Sequence, residues 1–346
     1  MASFIKFFAK DIGIDLGSSN TIISDIKGNV LVNEPSVVAI DLKTYEVLAV
    51  GIEAKNMIGK TPENIMAVRP LENGVIADFE LTRAMLEFFI KKSSTGFSVM
   101  QPKAIVTVPS FLTDIEKRAV EDVVIYAGCR DVELLEENIA SAIGMGIDIN
   151  EPKGNLILNV GAGTIQVSIV SLAGVVSSSA RKYGGDNVER NIKSYIKKSH
   201  NFLVGGTTTE YLKNNICTLN SEDIERSATV SGKDLITGMP KVASVSASDL
   251  LDCILPLVNE IHSCIRDVLE KTPPEISGEV IYDGIKICGG MAELEGLKES
   301  IMQNIKINAQ VVDKPGKVTG IGIGKALNLL EGKKRFIFRK NDVQEF

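Results

Sequence analysis

Short continuous apolar runs alternate along the chain with longer stretches of helical periodicity, which predicts an α/β protein. Residues 11–40 read as three successive strands, with a hairpin turn at Asp25-Ile26-Lys27-Gly28-Asn29 between the first two and Lys27-Gly28-Asn29 at its tip. Val37–Ile40 and Val47–Val50 are further strands, and a helix follows from about Glu53 to Ile58. Thr61-Pro62-Glu63 starts a new segment. Leu81 to Lys92 is amphipathic, with Leu81, Met85, Phe88 and Phe89 apolar. Ala104–Pro109 is a continuous apolar run, the pattern of a parallel strand buried on both faces. Thr113-Asp114-Ile115-Glu116 is a capping box opening a helix that runs to Ala127 and stops at Gly128.

The second half repeats this grammar. Leu156 to Val176 reads as strand, turn, strand, a hairpin at Gly174, strand. Helices are expected over Asp186–Lys198, Thr208–Ile216 and Ser248–Glu270, the last ended by Thr272-Pro273-Pro274. Ile285–Cys288 is a strand feeding Gly289-Gly290, followed by a helix over Ala292–Gln303. Gly320-Ile321-Gly322-Ile323-Gly324 leads into a final helix through Leu330.

One turn occurs twice. The first copy is Ile14-Asp15-Leu16-Gly17-Ser18-Ser19-Asn20-Thr21-Ile22-Ile23; the second is Leu158-Asn159-Val160-Gly161-Ala162-Gly163-Thr164-Ile165-Gln166-Val167. Each is an apolar strand with a polar residue near its end, a tight Gly-containing turn, and a second apolar strand. Glycine permits close backbone approach, so successive N–H groups can point at phosphate oxygens. Asp15, at a strand end, is placed to hold the divalent cation that accompanies a nucleotide, mostly through water. Two such turns far apart in the chain suggest two similar domains facing one ligand.

Composition narrows the field. A chain of 346 residues suggests two domains. Hydrophobic residues at 44% and charged residues at 24% are ordinary for a well-cored protein. A net charge of −6 leaves no basic footprint for nucleic acid. The five cysteines have no C-x-x-C spacing and the two histidines, His200 and His262, are far apart. Zinc chemistry and Ser-His or Cys-His catalysis are therefore not expected, and reduced thiols in a cytoplasm are. Near the N-terminus Phe4, Ile5, Phe7 and Phe8 alternate with lysines, and on a helix Phe4, Ile5 and Phe8 share a face. This stretch fits a short interfacial anchor, and equally a flexible leader or a strand capping the core. The basic tail Lys333–Lys340, with apolar residues interleaved, reads as a solvated end or a membrane or partner contact.

The two turns and a third Gly-Gly turn ahead of a helix, in this order, resemble the actin, sugar kinase and 70-kDa heat-shock superfamily. Within it the chain resembles the MreB/Mbl family of bacterial actin-like cell-shape proteins, from about Asp11 to Glu331. The resemblance is carried by Asp11–Gly17, Asn33–Ile40, Glu53–Pro62, Arg69-Pro70-Leu71, Gly74–Asp78 and Leu269–Glu275. It implies two related α/β domains around an interdomain nucleotide cleft. Subdomain IA would take 1–38, 75–145 and 326–346, and IB 39–74. Subdomain IIA would take 146–180 and 245–325, and IIB 181–244.

The resemblance also assigns roles. Gly17, Ser18, Ser19 and Asn20 match the first phosphate loop; Gly161, Ala162, Gly163 and Thr164 match the second. Glu137 matches the glutamate that positions the attacking water, in a catalytic set with Asp15 and Thr164. Gly185 and Asp186 match a ribose- and phosphate-facing turn, Glu210 and Lys213 flank the adenosine, and Gly289, Gly290 and Met291 match the adenosine loop. By spacing alone Glu210 and Lys213 read as an exposed i,i+3 pair and Glu137 as a helix-end charge. The chain departs from the family pattern at Asn159, where an aspartate is usual, at Ala162 and Met291, where glycines are usual, and at Asn138, where a proline is usual. An apolar loop that dips into the bilayer corresponds to Gly96–Pro102, with Phe97, Val99 and Met100 near its tip, although such residues commonly just pack under their loop.

The expectation is an ATP/ADP- and Mg²⁺-binding protein that stacks head-to-tail into filaments. It would be cytoplasmic, peripheral on the inner face of the cell membrane, and would organise cell shape or wall synthesis with membrane cell-shape proteins as partners. Hydrolysis would be weak at most, because of Asn159 and Ala162. The alternative is a soluble small-molecule kinase with the same cleft; against it, the chain has no inserted substrate domain and no acceptor-activating Asp in a strong motif.

Overall fold

The structure, a computed structural model, describes residues 11–94 and 100–329. The N-terminal apolar residues Phe4, Ile5, Phe7 and Phe8, the loop residues Phe97 and Val99, and the basic tail lie outside the described residues.

The first half runs β1 (Ile12–Leu16), β2 (Asn20–Ser24), β3 (Val30–Pro35), β4 (Val38–Asp41), β5 (Val47–Val50) and α1 (Ile52–Met57). It continues through β6 (Ile65–Val68), β7 (Leu71–Glu72), β8 (Val75–Ile76), α2 (Phe79–Ser93), β9 (Lys103–Val108), α3 (Asp114–Tyr126), β10 (Asp131–Glu136) and α4 (Glu137–Gly144). The second half runs β11 (Asn155–Val160), β12 (Ile165–Ser171), β13 (Gly174–Arg181), α5 (Gly185–His200), β14 (Phe202–Leu203) and α6 (Gly206–Asn215). Then come β15 (Ser227–Asp234), β16 (Pro240–Ser246), α7 (Ala247–Glu270), α8 (Pro274–Asp283), β17 (Ile285–Cys288), α9 (Leu297–Ile305), β18 (Ala309–Val311) and α10 (Val318–Leu329).

Two five-stranded sheets carry the same topology. In the first the order is β10-β9-β1-β2-β3, in the second β13-β12-β11-β17-β18. In each, an antiparallel three-strand meander is extended from its first strand by two parallel strands. The parallel strands are buried along almost their whole length, as the apolar run of β9 predicts. Smaller sheets, β5-β4-β6 in the first half and β14-β15-β16 in the second, flank the large ones. Each large sheet has its own apolar core. A third core lies between the sheets, where Ile139, Ala140 and Ile143 of α4 meet Val318, Ile323 and Ala326 of α10.

Several elements differ from the sequence expectation. The turn at Asp25–Asn29 joins β2 to β3, not the first two strands, because Gly17–Ser19 already closes the first hairpin. Asp25 there accepts the backbone N–H of Lys27 and Asn29 at 2.8 and 2.9 Å. The helix expected over Ala292–Gln303 is broken: a 3₁₀ turn over Gly290–Glu293 is separated from α9 by Gly296 at φ 81°, a left-handed conformation. Gly320, Gly322 and Gly324 lie inside α10 instead of leading into it. Their reason is proximity. A Cβ on Gly322 would stand 1.8 Å from the Ala140 carbonyl oxygen, and one on Gly144 would stand 2.0 Å from that of Val318. Gly322 and Gly144 let α10 lie directly on α4, while Gly320 and Gly324 make room for Ile22 of β2 and for the Asp25 carbonyl just after it.

All five cysteines are buried. Burial pushes the thiols of Cys129 and Cys217 up to about 12. Native protein at pH 8 is therefore expected to resist iodoacetamide at these two positions; rapid alkylation in the folded state would contradict that burial.

Candidate functional site

The duplicated turns face each other across a cavity of about 640 Å³. Residues 17–19 close the β1–β2 hairpin and residues 161–164 the β11–β12 hairpin. Turn residues are outside the strand ladders, and the backbone N–H groups of Ser18, Ser19, Ala162 and Gly163 donate to no protein atom among the described residues. The two tips nearly touch through the β7–β8 turn. Gly74 donates its N–H to Ser18 Oγ at 3.0 Å, and a Cβ on Gly163 would stand 2.7 Å from the Asn73 Cα.

Equivalent strands put equivalent side chains at the cavity floor. Asp15 sits near the end of β1 and Asn159 near the end of β11. Thr107 Oγ1, on neighbouring β9, donates to Asp15 Oδ1 at 2.8 Å. Glu137 opens α4, directly after β10, and its carboxylate is held from the other sheet. Asn159 Nδ2 donates to Glu137 Oε1 at 3.0 Å and Gln166 Nε2 donates to Glu137 Oε2. Gln166 Oε1 accepts the backbone N–H of Ser110 at 3.1 Å. Asn159 and Gln166 are both buried.

Burial holds both carboxyls above their ordinary range. For Glu137 the nearby charge of Asp15 adds to the rise; hydrogen bonds from Thr107 to Asp15, and from Gln166 and Asn159 to Glu137, only moderate it. The floor is thus two half-buried acids that pair with no protein cation among the described residues, an arrangement stable when a proton or a cation sits with them.

Gly289–Met291 and Lys314–Lys317 also line the cavity. Gly289 has φ 88°, and a Cβ there would meet the Val160 carbonyl oxygen at 2.3 Å. Around Gly290 nothing lies within 4 Å of a Cβ position, so that residue faces open cavity. Glu210 and Lys213 line the wall but do not pair with each other. Glu210 takes Lys55 at 2.8 Å and Lys213 takes Glu189 at 2.6 Å.

Of the residues singled out in the sequence, Asp15, Gly17, Ser18, Ser19, Asn20, Glu137, Asn159, Gly161, Ala162, Gly163, Thr164, Glu210, Lys213, Gly289, Gly290 and Met291 all line this one cavity. Gly185 and Asp186 lie off its wall. Gly185 is buried behind Met291, whose Sδ would be 3.0 Å from a Cβ there. Asp186 is turned to Arg69, Nη1 to Oδ1 2.6 Å. Burial alone would lower the Arg69 pKa, but Asp186, with Glu189 and Glu210, outweighs it and leaves it raised. Met100 is half-buried at the edge of the loop it was assigned to.

Sequence reasoning passed over Gln166, Thr107, Lys55 and Arg69. A polar residue inside an apolar strand was the available signal for Gln166 and Thr107. The two ion pairs join residues 155 and 117 positions apart, which no local pattern reveals.

The comparisons with known proteins agree with this geometry. The profile of the family described as MreB/Mbl protein matches residues 9–335. The chain is 37% identical over 325 residues to the cell shape-determining protein Mbl of Bacillus subtilis strain 168, covering 94% of this chain and 97% of that protein. It is 36% identical over 337 residues to the cell shape-determining protein MreB of Escherichia coli K12, covering 96% and 97%. The crystal structure of MreB5 of Spiroplasma citri bound to AMPPNP superposes with a TM-score of 0.87 at 29% identity, over 94% of this chain and 97% of that one. Duplicated sheets, paired hairpin turns and near full-length similarity together place the chain in the MreB/Mbl family, with an actin-like fold.

Proposed function

We propose that the cavity binds ATP or ADP with Mg²⁺ and that the protein assembles head-to-tail into filaments that serve cell shape or wall synthesis. One observation carries the reading: two hairpin turns, whose tip backbone N–H groups donate to no protein atom among the described residues, line a single cavity from two equivalent sheets, beside a half-buried acidic floor. Phosphate oxygens would satisfy those N–H groups. The AMPPNP bound to the S. citri relative supports the same use of the cleft.

The donor set also fits Mg²⁺. Among the described residues no group of three or more His, Cys, Asp or Glu could cage a metal. Mg²⁺ usually keeps several waters and takes one or two carboxylates plus substrate phosphates, and Asp15 and Glu137 are two carboxylates short of compensating charge. Bound there, the cation would neutralise the floor and the developing phosphate charge. Asp15, fixed by Thr107, would hold its hydrated shell. Glu137, fixed by two amides, would orient water. Asn159 offers an amide where a second-sheet carboxylate would share the cation, so hydrolysis is proposed to be slow. On this reading Glu210, Lys213 and Gly289–Met291 surround the nucleoside, and the chain divides into four subdomains at the bounds given above.

Family membership favours the cytoskeletal reading over a soluble kinase. Filament contacts of this kind are heterologous and non-closing. Sedimentation separates the two: the filament reading expects the protein to pellet with ATP and Mg²⁺, and a supernatant unchanged by nucleotide at any protein concentration would contradict it.

We also propose a position on the inner membrane face, on the sequence pattern of Phe4, Ile5, Phe7, Phe8, Phe97, Val99 and Met100. No helix among the described residues is long and apolar enough to cross a membrane. Deleting residues 1–9 together with Val99→Ser and Met100→Ser is expected to remove co-sedimentation with anionic liposomes, since weak anchors multiply in a polymer. Full retention on lipid would place the contact elsewhere.

A further inference from the structure

Glu137 belongs to the first half of the molecule, yet both of its carboxylate oxygens are bound by the second. Asn159 and Gln166 are direct cross-strand partners on β11 and β12, so their side chains project from the same face of the second sheet. One N–H goes to each oxygen. The Gln166 amide is locked in this sense, because its own carbonyl oxygen accepts the Ser110 N–H of the first half. Two residues further along β12, on the same face, Ser168 Oγ accepts Asn138 Nδ2 at 2.9 Å, again joining β12 to α4. At the rim, Lys55–Glu210 and Arg69–Asp186 join the two halves by ion pairs.

We infer that Asn159 and Gln166 form a pin that fastens the two halves through Glu137, holding the cleft closed with no nucleotide in it. The chemistry of the two positions decides the sign. A carboxylate at the buried positions 159 or 166 would face the Glu137 carboxylate and push the halves apart unless a cation intervened. An amide of the same size donates a charge-assisted hydrogen bond instead. Closure is then a property of the polypeptide. Nucleotide enters a cleft that is already shaped and adds little to its closure, because a ligand shifts a two-state equilibrium only by its differential affinity. Asn159 and Gln166 are positioning residues: each time the halves separate, Glu137 loses both partners, and each time they meet it is re-aimed. What the pin regulates rests on the nucleotide reading; the existence of the pin does not.

The test is an interdomain distance distribution from spin labels on the full chain at Lys60→Cys and Lys233→Cys, both exposed and one in each half. The native cysteines are buried and stay unlabelled. Without nucleotide, the parent is expected to give one narrow short-distance population. Gln166→Glu, isosteric but acidic, is expected to shift it to longer, broader distances. The exchange Glu137→Gln with Gln166→Glu restores an amide–carboxylate pair with the roles reversed, and is expected to return the short population. An open parent, a Gln166→Glu protein that stays closed, or an exchange variant that stays open would each overturn the pin. Should Gln166→Glu fail to fold, the exchange variant decides alone: folded and closed supports the pin, open or unfolded rejects it. Adding AMPPNP and Mg²⁺ to the parent reads the other claim separately. Failure of AMPPNP to bind would remove the nucleotide reading and leave the nucleotide-free distances, and the pin, untouched.

Discussion

Gly322→Ala is expected to destabilise the protein severely, although it adds a single methyl group. The new Cβ would stand 1.8 Å from the Ala140 carbonyl oxygen and 2.6 Å from the Gly144 nitrogen. These are backbone atoms of α4, so no side-chain rotation relieves the contact and the helices must separate. Overpacking of this kind typically costs about 1–3 kcal/mol, and more where backbone must move. The upper end is expected here, because α4 and α10 form the apolar layer between the sheets. Separation would also move Glu137 at the start of α4. Gly290→Ala is the control: its Cβ meets nothing within 4 Å. The thermal midpoint should fall clearly for Gly322→Ala and stay near the parent for Gly290→Ala. Equal midpoints for the two would mean that α4 and α10 are not packed this closely. The control has a second use: if nucleotide occupies the open space at Gly290, that variant should keep its stability and lose affinity.

Asp15→Asn is expected to act on stability and on binding with opposite signs. Asparagine keeps the oxygen that accepts from Thr107 and removes a charge from the half-buried floor shared with Glu137. A carboxyl whose pKa rises on folding binds more protons in the native than in the unfolded state. Stability then falls as pH climbs above the unfolded value of about 4, through the raised native value. The nucleotide-free parent should therefore lose stability from acid pH toward neutrality through this pair, and Asp15→Asn should show a shallower loss and a higher midpoint at pH 8. Binding should go the other way. A lost charge-assisted contact of about 1.5–3 kcal/mol corresponds to roughly 10- to 150-fold weaker Mg-nucleotide affinity. A variant that is less stable without nucleotide and binds it unchanged would show that Asp15 serves the fold and not the cation. Asn159→Asp is expected to show the mirror pattern: lower stability without nucleotide, from the acid placed against Glu137, and faster phosphate release with Mg²⁺ present.

What could be read from the sequence was whatever local chemistry determines. The Thr113–Glu116 capping box is present with both of its hydrogen bonds. The apolar run of β9 is a parallel strand between β1 and β10. The repeated turn at 17–20 and 161–164 predicted two similar halves, and the two sheets have one topology. Elements decided by distant contacts were not legible. Strand β10 and helix α4 follow one another with no turn residue between Glu136 and Glu137, so no punctuation marks the boundary. The glycines of α10 read as a lead-in to a helix, because glycine disfavours helix unless a neighbour demands its absence of a side chain, and those neighbours, α4 for Gly322 and β2 with its following turn for Gly320 and Gly324, lie about 180 and about 300 residues earlier in the chain. Asn159 was visible as a departure from an acid; that its amide would bind Glu137 depended on Gln166 opposite it on β12. Asp186 carried a plausible role by position, but its carboxylate is engaged by Arg69, far away in sequence.

Calorimetric titration of AMPPNP with Mg²⁺ into the parent and into Ala162→Asp shows whether the paired turns hold phosphate. Ala162 lines the cavity at the tip of the second turn and already has a Cβ, so the backbone accepts the change. The substitution puts a carboxylate where phosphate oxygens would sit. One saturable site per chain is expected in the parent and loss of binding in the variant, with an unchanged thermal midpoint. No binding in the parent, or equal binding in both, would contradict the assignment of the paired turns as a phosphate cradle.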